Sequence, residues 1–241
     1  MGKTNSVKKG TLSVLAILAL TAAISGWMAT PASAIPCATP PPPATTVTTV
    51  GAGLSAFSYN CGGLTFSNFM AIDAGGATGL PINLVAATVD NGRVDLTLNP
   101  NLGGPSVKDI DLYFMVTGGI TGIDLAVGGV NSTIAERACS SPIAIASANN
   151  CTGGLPNQLA ALANFSGQSL VAQTFGLTNP VFIFKDINKG LDGALTSIDE
   201  SFTTPTPEPA SLFLLGTGLA GVGVLFRRRR ERLAVEQTGL A

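Results

Sequence analysis

Two long stretches of this chain are strongly apolar and carry no charge, and between them apolar and polar positions alternate. The first run extends from Leu12 to Trp27 and the second from Ala210 to Phe226. Between them the side-chain period is close to two, the signature of strands with one buried face. Ile82 to Val89 and Val94 to Leu98 flank Asp90-Asn91-Gly92-Arg93, with Val94, Leu96 and Leu98 on one side and Asp95 and Thr97 on the other. Asn-Gly adopts positive φ cheaply, so this segment is read as a β-hairpin. Val107 to Val116 alternates and then becomes wholly apolar, as a strand does when it passes from an edge into a centre, and Gly118-Gly119 ends it. Ile120 to Val127, Val181 to Ile187 and Leu195 to Phe202 supply further strands, with Gly128-Gly129 read as another turn. A short helix is expected over Asn157 to Asn164. Short strands punctuated by Gly, Pro and Asn predict an all-β, antiparallel β-sandwich over residues 51–203. Residues 35–50, with Pro40 to Pro43 and several threonines, are expected as an extended Pro/Thr-rich arm before it.

The ends read differently. Lys3, Lys8 and Lys9 precede the first apolar run, and Ala32-Ser33-Ala34 follows it. Basic end, apolar middle and small-x-small site make residues 1–34 a secretory signal helix, cleaved after Ala34 with Ala32 and Ala34 fitting the peptidase groove. An uncleaved signal anchor is the competing reading. Trp27, the one tryptophan of the chain, would leave with the signal.

The 17 residues of 210–226 carry no charge and would span about 25 Å as a helix, the short end of membrane-crossing length. Arg227, Arg228, Arg229, Arg230 and Arg232 follow. Such a cluster stays on the cytoplasmic side, which makes 210–226 a transmembrane helix, places 233–241 at a cytoplasmic end and turns the middle of the chain outward. Before the span, Thr204-Pro205-Thr206-Pro207-Glu208-Pro209 is kept extended by its prolines, as a stalk and as a substrate that a processing enzyme can reach.

Pro207-Glu208-Pro209, the glycine-containing span and the arginine cluster together resemble the PEP-CTERM sorting signal of exported bacterial proteins, also catalogued as an ice-binding protein C-terminal domain. The resemblance covers residues 204–232. It implies recognition by an exosortase, a membrane-embedded cysteine protease or transpeptidase that cuts near the motif, and delivery to the cell surface or an exopolysaccharide matrix. A glycosylphosphatidylinositol signal would end in its apolar tail, and a Gram-positive sorting signal would carry an LPxTG-like motif; the chain fits neither.

Composition narrows the chemistry. The chain has no histidine, which removes imidazole bases and imidazole metal ligands. Between Ile35 and Pro209 five basic residues face twelve acidic ones, a formal charge of −7, so phosphate-driven nucleic-acid binding is not expected. The acids are read as a solvated face: Asp90-Asn91-Gly92 lacks the ligand ladder of a calcium loop, and neither a metal nor a cofactor is expected. The triplets at Asn131, Asn150 and Asn164 are chance matches to a glycosylation pattern in a bacterial chain.

Cys37, Cys61, Cys139 and Cys151 all lie in the exported part, where an even count favours two disulfides. Of three connectivities the expected one joins neighbours, Cys37 to Cys61 and Cys139 to Cys151, since near positions meet most easily. The expected function is a non-catalytic exported surface or matrix protein. Its partners are the translocon and signal peptidase, then the exosortase, with exopolysaccharide as a candidate. The alternative is a carbohydrate-binding module or a carboxylate glycosidase, for which Tyr59 and Tyr113 offer little aromatic surface.

Overall fold

The computed structural model describes residues 35–37, 43–49, 54–145 and 149–205, together with Thr217, Gly218 and Val222. The chain divides into two compact units, residues 1–35 and 36–241, and of the first the described part is Ile35. The expected signal helix lies outside the described residues, as does the expected membrane helix apart from Thr217, Gly218 and Val222. Among the described residues no helix is long and apolar enough to cross a membrane.

The described residues are built mainly from strands. In chain order these are β1 (Ile35–Pro36), β2 (Thr45–Thr48), β3 (Tyr59–Cys61), β4 (Leu64–Gly75), β5 (Pro81–Asp90), β6 (Arg93–Asn99), β7 (Lys108–Thr117) and β8 (Ile120–Cys139). They continue with β9 (Ile143–Ala144), β10 (Asn150–Cys151), β11 (Gln158–Phe165), β12 (Val171–Thr178) and β13 (Val181–Thr203). The expected β5–β6 hairpin forms, with Asn91 at φ 46° and Gly92 at φ 77°, the pair of positive angles that a tight two-residue turn needs.

Two strands organise the rest. β8 and β13 pair antiparallel along nearly their whole length. On the free edge of β13, residues 181–189 pair with β7 and residues 198–203 pair with β6. One edge cannot carry two strands end to end on a flat sheet of this size, so β13 and β8 bend together and pass from one layer to the other. The first layer contains β4, β7, the first half of β13, the second half of β8, and β11; the second contains β5, β6, the remaining halves of β13 and β8, and β12. β2 closes the opposite side, pairing antiparallel with β5 through Thr45 and Thr46 and parallel with β4 through Val47 and Thr48.

The all-β expectation therefore holds, while the two expected sheets of a sandwich are one barrel-like sheet with extra strands. Three local expectations change with it. Gly128-Gly129 is a bend inside β8, where a Cβ on Gly129 (φ +126°) would overlap the carbonyl of Ala194 across the strand pair. Gln158 to Phe165 is strand β11 after a single 3₁₀ turn, Leu155–Asn157, and not a helix: Ala160, Leu162 and Asn164 bury alternate side chains against β8. Within the expected arm, Thr45–Thr48 is a sheet strand with Val47 buried, and neighbouring Ala44 is buried as well.

Between the layers the core is continuous. Phe202 of β13 packs on Phe66 of β4 with centroids 5.1 Å apart, and Phe69 stacks on Phe114 at 5.1 Å. Phe66, Phe69 and Phe202 are wholly buried, so truncating one to alanine should cost about 3–5 kcal/mol. A second, smaller apolar cluster sits on the outside of the first layer, where Met70, Ile72, Tyr113 and Phe184 pack with Ile143.

Candidate functional site

Each disulfide joins the expected neighbours. Cys37–Cys61 ties the segment after β1 to β3, and the Cys37 N–H donates to the Ala87 carbonyl at 3.0 Å. Cys139–Cys151 closes a loop over the outer face of the first layer. There Tyr113 Oη donates to Asn149 Oδ1 at 2.5 Å, Asn149 Nδ2 donates to Asp111 Oδ2 at 3.1 Å, and Arg137 donates to the Asn149 carbonyl.

Beside this loop the outer face becomes acidic. Asp109 and Asp111 project from β7 two residues apart, Asp186 stands opposite Asp111 on β13, and Asn188 stands opposite Asp109. A cleft next to them is lined by Asp109, Asp186, Thr133, Asn164 and Phe165. Burial first, and then the charges of Asp186 and Asp111, push the Asp109 carboxyl up to about 6. Asp111 is raised as well, mainly by burial, although the Asn149 amide opposes the shift. Both tyrosines are buried, Tyr59 with 5% and Tyr113 with 6% of its surface exposed, so neither offers a ring face to a sugar.

The exit toward the C-terminus is fixed by hydrogen bonds. Thr203 pairs with Arg93, and Thr204 donates to the Gly92 carbonyl through both its N–H (2.7 Å) and its Oγ1 (2.8 Å). Arg93 pairs with Asp124, whose Oδ1 accepts the Ser201 N–H at 3.0 Å. The chain is thus held by the tip of the β5–β6 hairpin up to the residue before Pro205. The other residues assigned by sequence, Ala32 and Ala34 at the signal site, Pro207, Glu208 and Pro209 in the motif, and Arg227, Arg228, Arg229, Arg230 and Arg232 after the span, lie outside the described residues.

A constellation that sequence reasoning missed occupies the interior. Lys185 Nζ lies 2.6 Å from Glu136 Oε2 and 3.0 Å from Glu200 Oε2, and all three side chains are completely shielded from solvent. Lys185 and Glu136 are a direct cross-strand pair of β13 and β8 in the first layer; Glu200 reaches them from the second. Lys185 donates a hydrogen bond to Glu136. Glu200 Oε2 is the second carboxyl oxygen within reach of Nζ, and the two carboxyls also face each other. Burial, and then the neighbouring Glu136 charge, push Glu200 well above the usual carboxylate range. Burial alone would lower Lys185; the two carboxylates outweigh it and hold the amine charged. Parity was the available signal: Lys185 shares its strand face with Ile183 and Ile187, Glu136 with Ile134 and Ala138, and Glu200 with Ile198 and Phe202.

Against known families, residues 205–230 match the PEP-CTERM protein-sorting motif. No curated protein and no solved structure matches the chain. The motif marks an exported, surface-sorted protein whose processing partner is an exosortase. Its first residue, 205, directly follows Thr204, which is hydrogen-bonded to the hairpin tip of the barrel.

Proposed function

We propose that the chain is a non-catalytic component of the bacterial cell surface or extracellular matrix, made as an inner-membrane precursor and released or transferred by its exosortase. The translocon and signal peptidase remove residues 1–34, the apolar span 210–226 halts export, and the arginines after it keep their side of the membrane. Pro207-Glu208-Pro209 is then presented beside the bilayer, with exopolysaccharide as the candidate neighbour of the mature domain. The observation that carries this reading is the sorting motif beginning where β13 is clamped at Thr204. A rigid domain ending one residue before a proline-rich segment leaves that segment as the accessible substrate.

One observation favours a second reading. The cleft beside Asp109 and Asp186 pairs a carboxyl raised to about 6 with a second acid, the kind of asymmetry a carboxylate glycosidase uses. It ranks behind the first because both tyrosines are buried, which leaves Phe165 at the edge of the cleft as its exposed aromatic ring. Hydrolysis of exopolysaccharide by the wild-type protein and its loss in Asp109→Asn would reverse that ranking.

Sorting is tested by fractionation, with an epitope after Ala34, in hosts with and without the exosortase. Wild type should lose its tail in the first host alone. Glu208→Ala should insert normally, because residue 208 lies outside the apolar run, and accumulate at full tail length in the inner membrane. A wild-type tail retained in both hosts would make the span a plain anchor.

A further inference from the structure

We propose that Lys185 and Glu136 become joined by an intramolecular amide bond, Nζ to Cδ, with Glu200 as the group that moves the protons. An N···O separation of 2.6 Å between Nζ and Oε2 puts the carboxyl carbon roughly 3–3.5 Å from the amine nitrogen, a near-attack distance. In water such a condensation is unfavourable because both ions are hydrated. Here neither side chain touches solvent, so the hydration that protects the separated ions is absent. The hydrogen bond between Lys185 and Glu136 is also the path by which the ammonium proton passes to the carboxylate, giving a neutral amine beside a neutral acid.

The nitrogen lone pair then adds to Cδ of Glu136, and the neutral Glu200 carboxyl gives its proton to the carbonyl oxygen as charge develops there. Glu200, now a carboxylate, takes a proton from the nitrogen, returns it to one hydroxyl as the C–O bond breaks, and then takes the proton of the remaining hydroxyl as the amide carbonyl forms. One C–N bond forms, one C–O bond breaks, one water leaves, Glu200 ends as the acid it began as, and nothing is oxidised or reduced. Glu200 fits this part because it is buried, within 3.0 Å of Nζ and beside the Glu136 carboxyl. Lys189 is an internal contrast: on the same strand and equally buried, it donates to the Gly104 carbonyl at 2.6 Å, and the described residues give it no carboxylate partner. It should remain a free amine.

The bond would pin β13, the strand that runs into the sorting tail, to its longest partner β8. A pull applied through an anchored C-terminus would strip β13 from Thr203 back toward Lys185 and there meet a covalent link. This benefit rests on the sorted-tail reading; the bond itself does not.

The experiment is peptide mapping of the full chain recovered from its host, reduced, alkylated and digested with trypsin. Arg137 and Lys189 should be cleaved and Lys185 should not. Residues 109–137 should appear joined to residues 138–189, at a combined mass one water below their sum. Separate 109–137 and 138–185 peptides as the main species from folded wild type would overturn the proposal, whatever the outcome of the sorting experiment. Glu136→Ala should restore cleavage at Lys185. Glu200→Ala keeps both bonding partners and should also leave them unlinked; a linked Glu200→Ala protein would overturn the role of Glu200. Because the decisive measurement is made on wild type, a variant that fails to fold does not rescue the idea.

Discussion

Two groups of acids lie on the inner and outer faces of the sheet and meet opposite fates. Inside, Glu136 and Glu200 converge on Lys185 without solvent. Outside, Asp109, Asp111 and Asp186 face one another with no cation among the described ion pairs, and Asp109 rises to about 6. The interior acids share one partner, Lys185, which pairs across the strands with Glu136 and meets Glu200 from the other layer. The outer acids have only partial burial and a covering loop. Position on the pleat, inward or outward, therefore decides whether a carboxylate here is a member of a built cluster or a source of repulsion that a proton can relieve.

The largest expected effect breaks the inner group. Lys185→Met removes the nitrogen that partners Glu136, whether as ion pair or as amide, and leaves two carboxyls in the core, which should cost about 3–5 kcal/mol and lower the denaturant midpoint accordingly. Replacing Glu136, Lys185 and Glu200 together by apolar residues of similar volume should recover much of that loss. A triple variant no more stable than Lys185→Met would mean that the cost lies in packing, not in uncompensated charge.

The outer group depends on the loop above it. Cys139→Ser with Cys151→Ser opens a loop whose ends are 12 residues apart and frees the segment that holds Asn149 over Asp111 and Tyr113. A loss of about 2–3 kcal/mol is expected from loop closure, read by thermal melting. Asp111 should then titrate closer to an ordinary carboxylate, since burial is its main perturbation, and a carboxyl-resolved titration by NMR would detect the change. An unchanged Asp111 would show that the strands alone create its environment.

How much of this was visible in the sequence follows from the range of each signal. The tail was readable because motif, span and arginines are contiguous and each has its own chemistry. The β5–β6 hairpin was readable because Asn91 and Gly92 set their own angles. The bends were misread because Gly128-Gly129 has the composition of a turn, and only the closeness of Ala194 on β13 shows that the strand continues. β11 was misread because an alanine-rich run carries little strand propensity, and pairing with β8 overrode it. The inner triad was half legible. Parity puts each of its members inward, but Glu136 and Glu200 are far apart in sequence, and nothing local states that β13 crosses both layers.

The smallest effect separates the two groups by pH. Asp109 has a folded value of about 6 against an ordinary 3.8, so between those limits the folded chain holds a proton that the unfolded chain has released. Stability must then fall as pH rises through that window, and rise as pH is lowered from 7 to 5. After discounting for solvent screening of a partly buried group, the gain is about 1 kcal/mol, or ~2–4 °C in Tm. Glu200 is also raised, so it acts in the same direction, with its loss beginning as pH climbs above 4.5. Asp73 works the other way. Its carboxylate accepts the N–H groups of Ala77, Thr78 and Gly75 and the Thr78 hydroxyl, which lowers it, so its contribution disappears as pH falls through and below 3.8. Melting followed from pH 7 to pH 3 should therefore pass through a maximum near 4–5. Asp109→Asn removes the outer share of the acid-side rise, and Glu200→Gln removes the inner share. If neither substitution flattens the profile between pH 7 and pH 5, the repulsion assigned to the outer face and the proton assigned to Glu200 are both wrong.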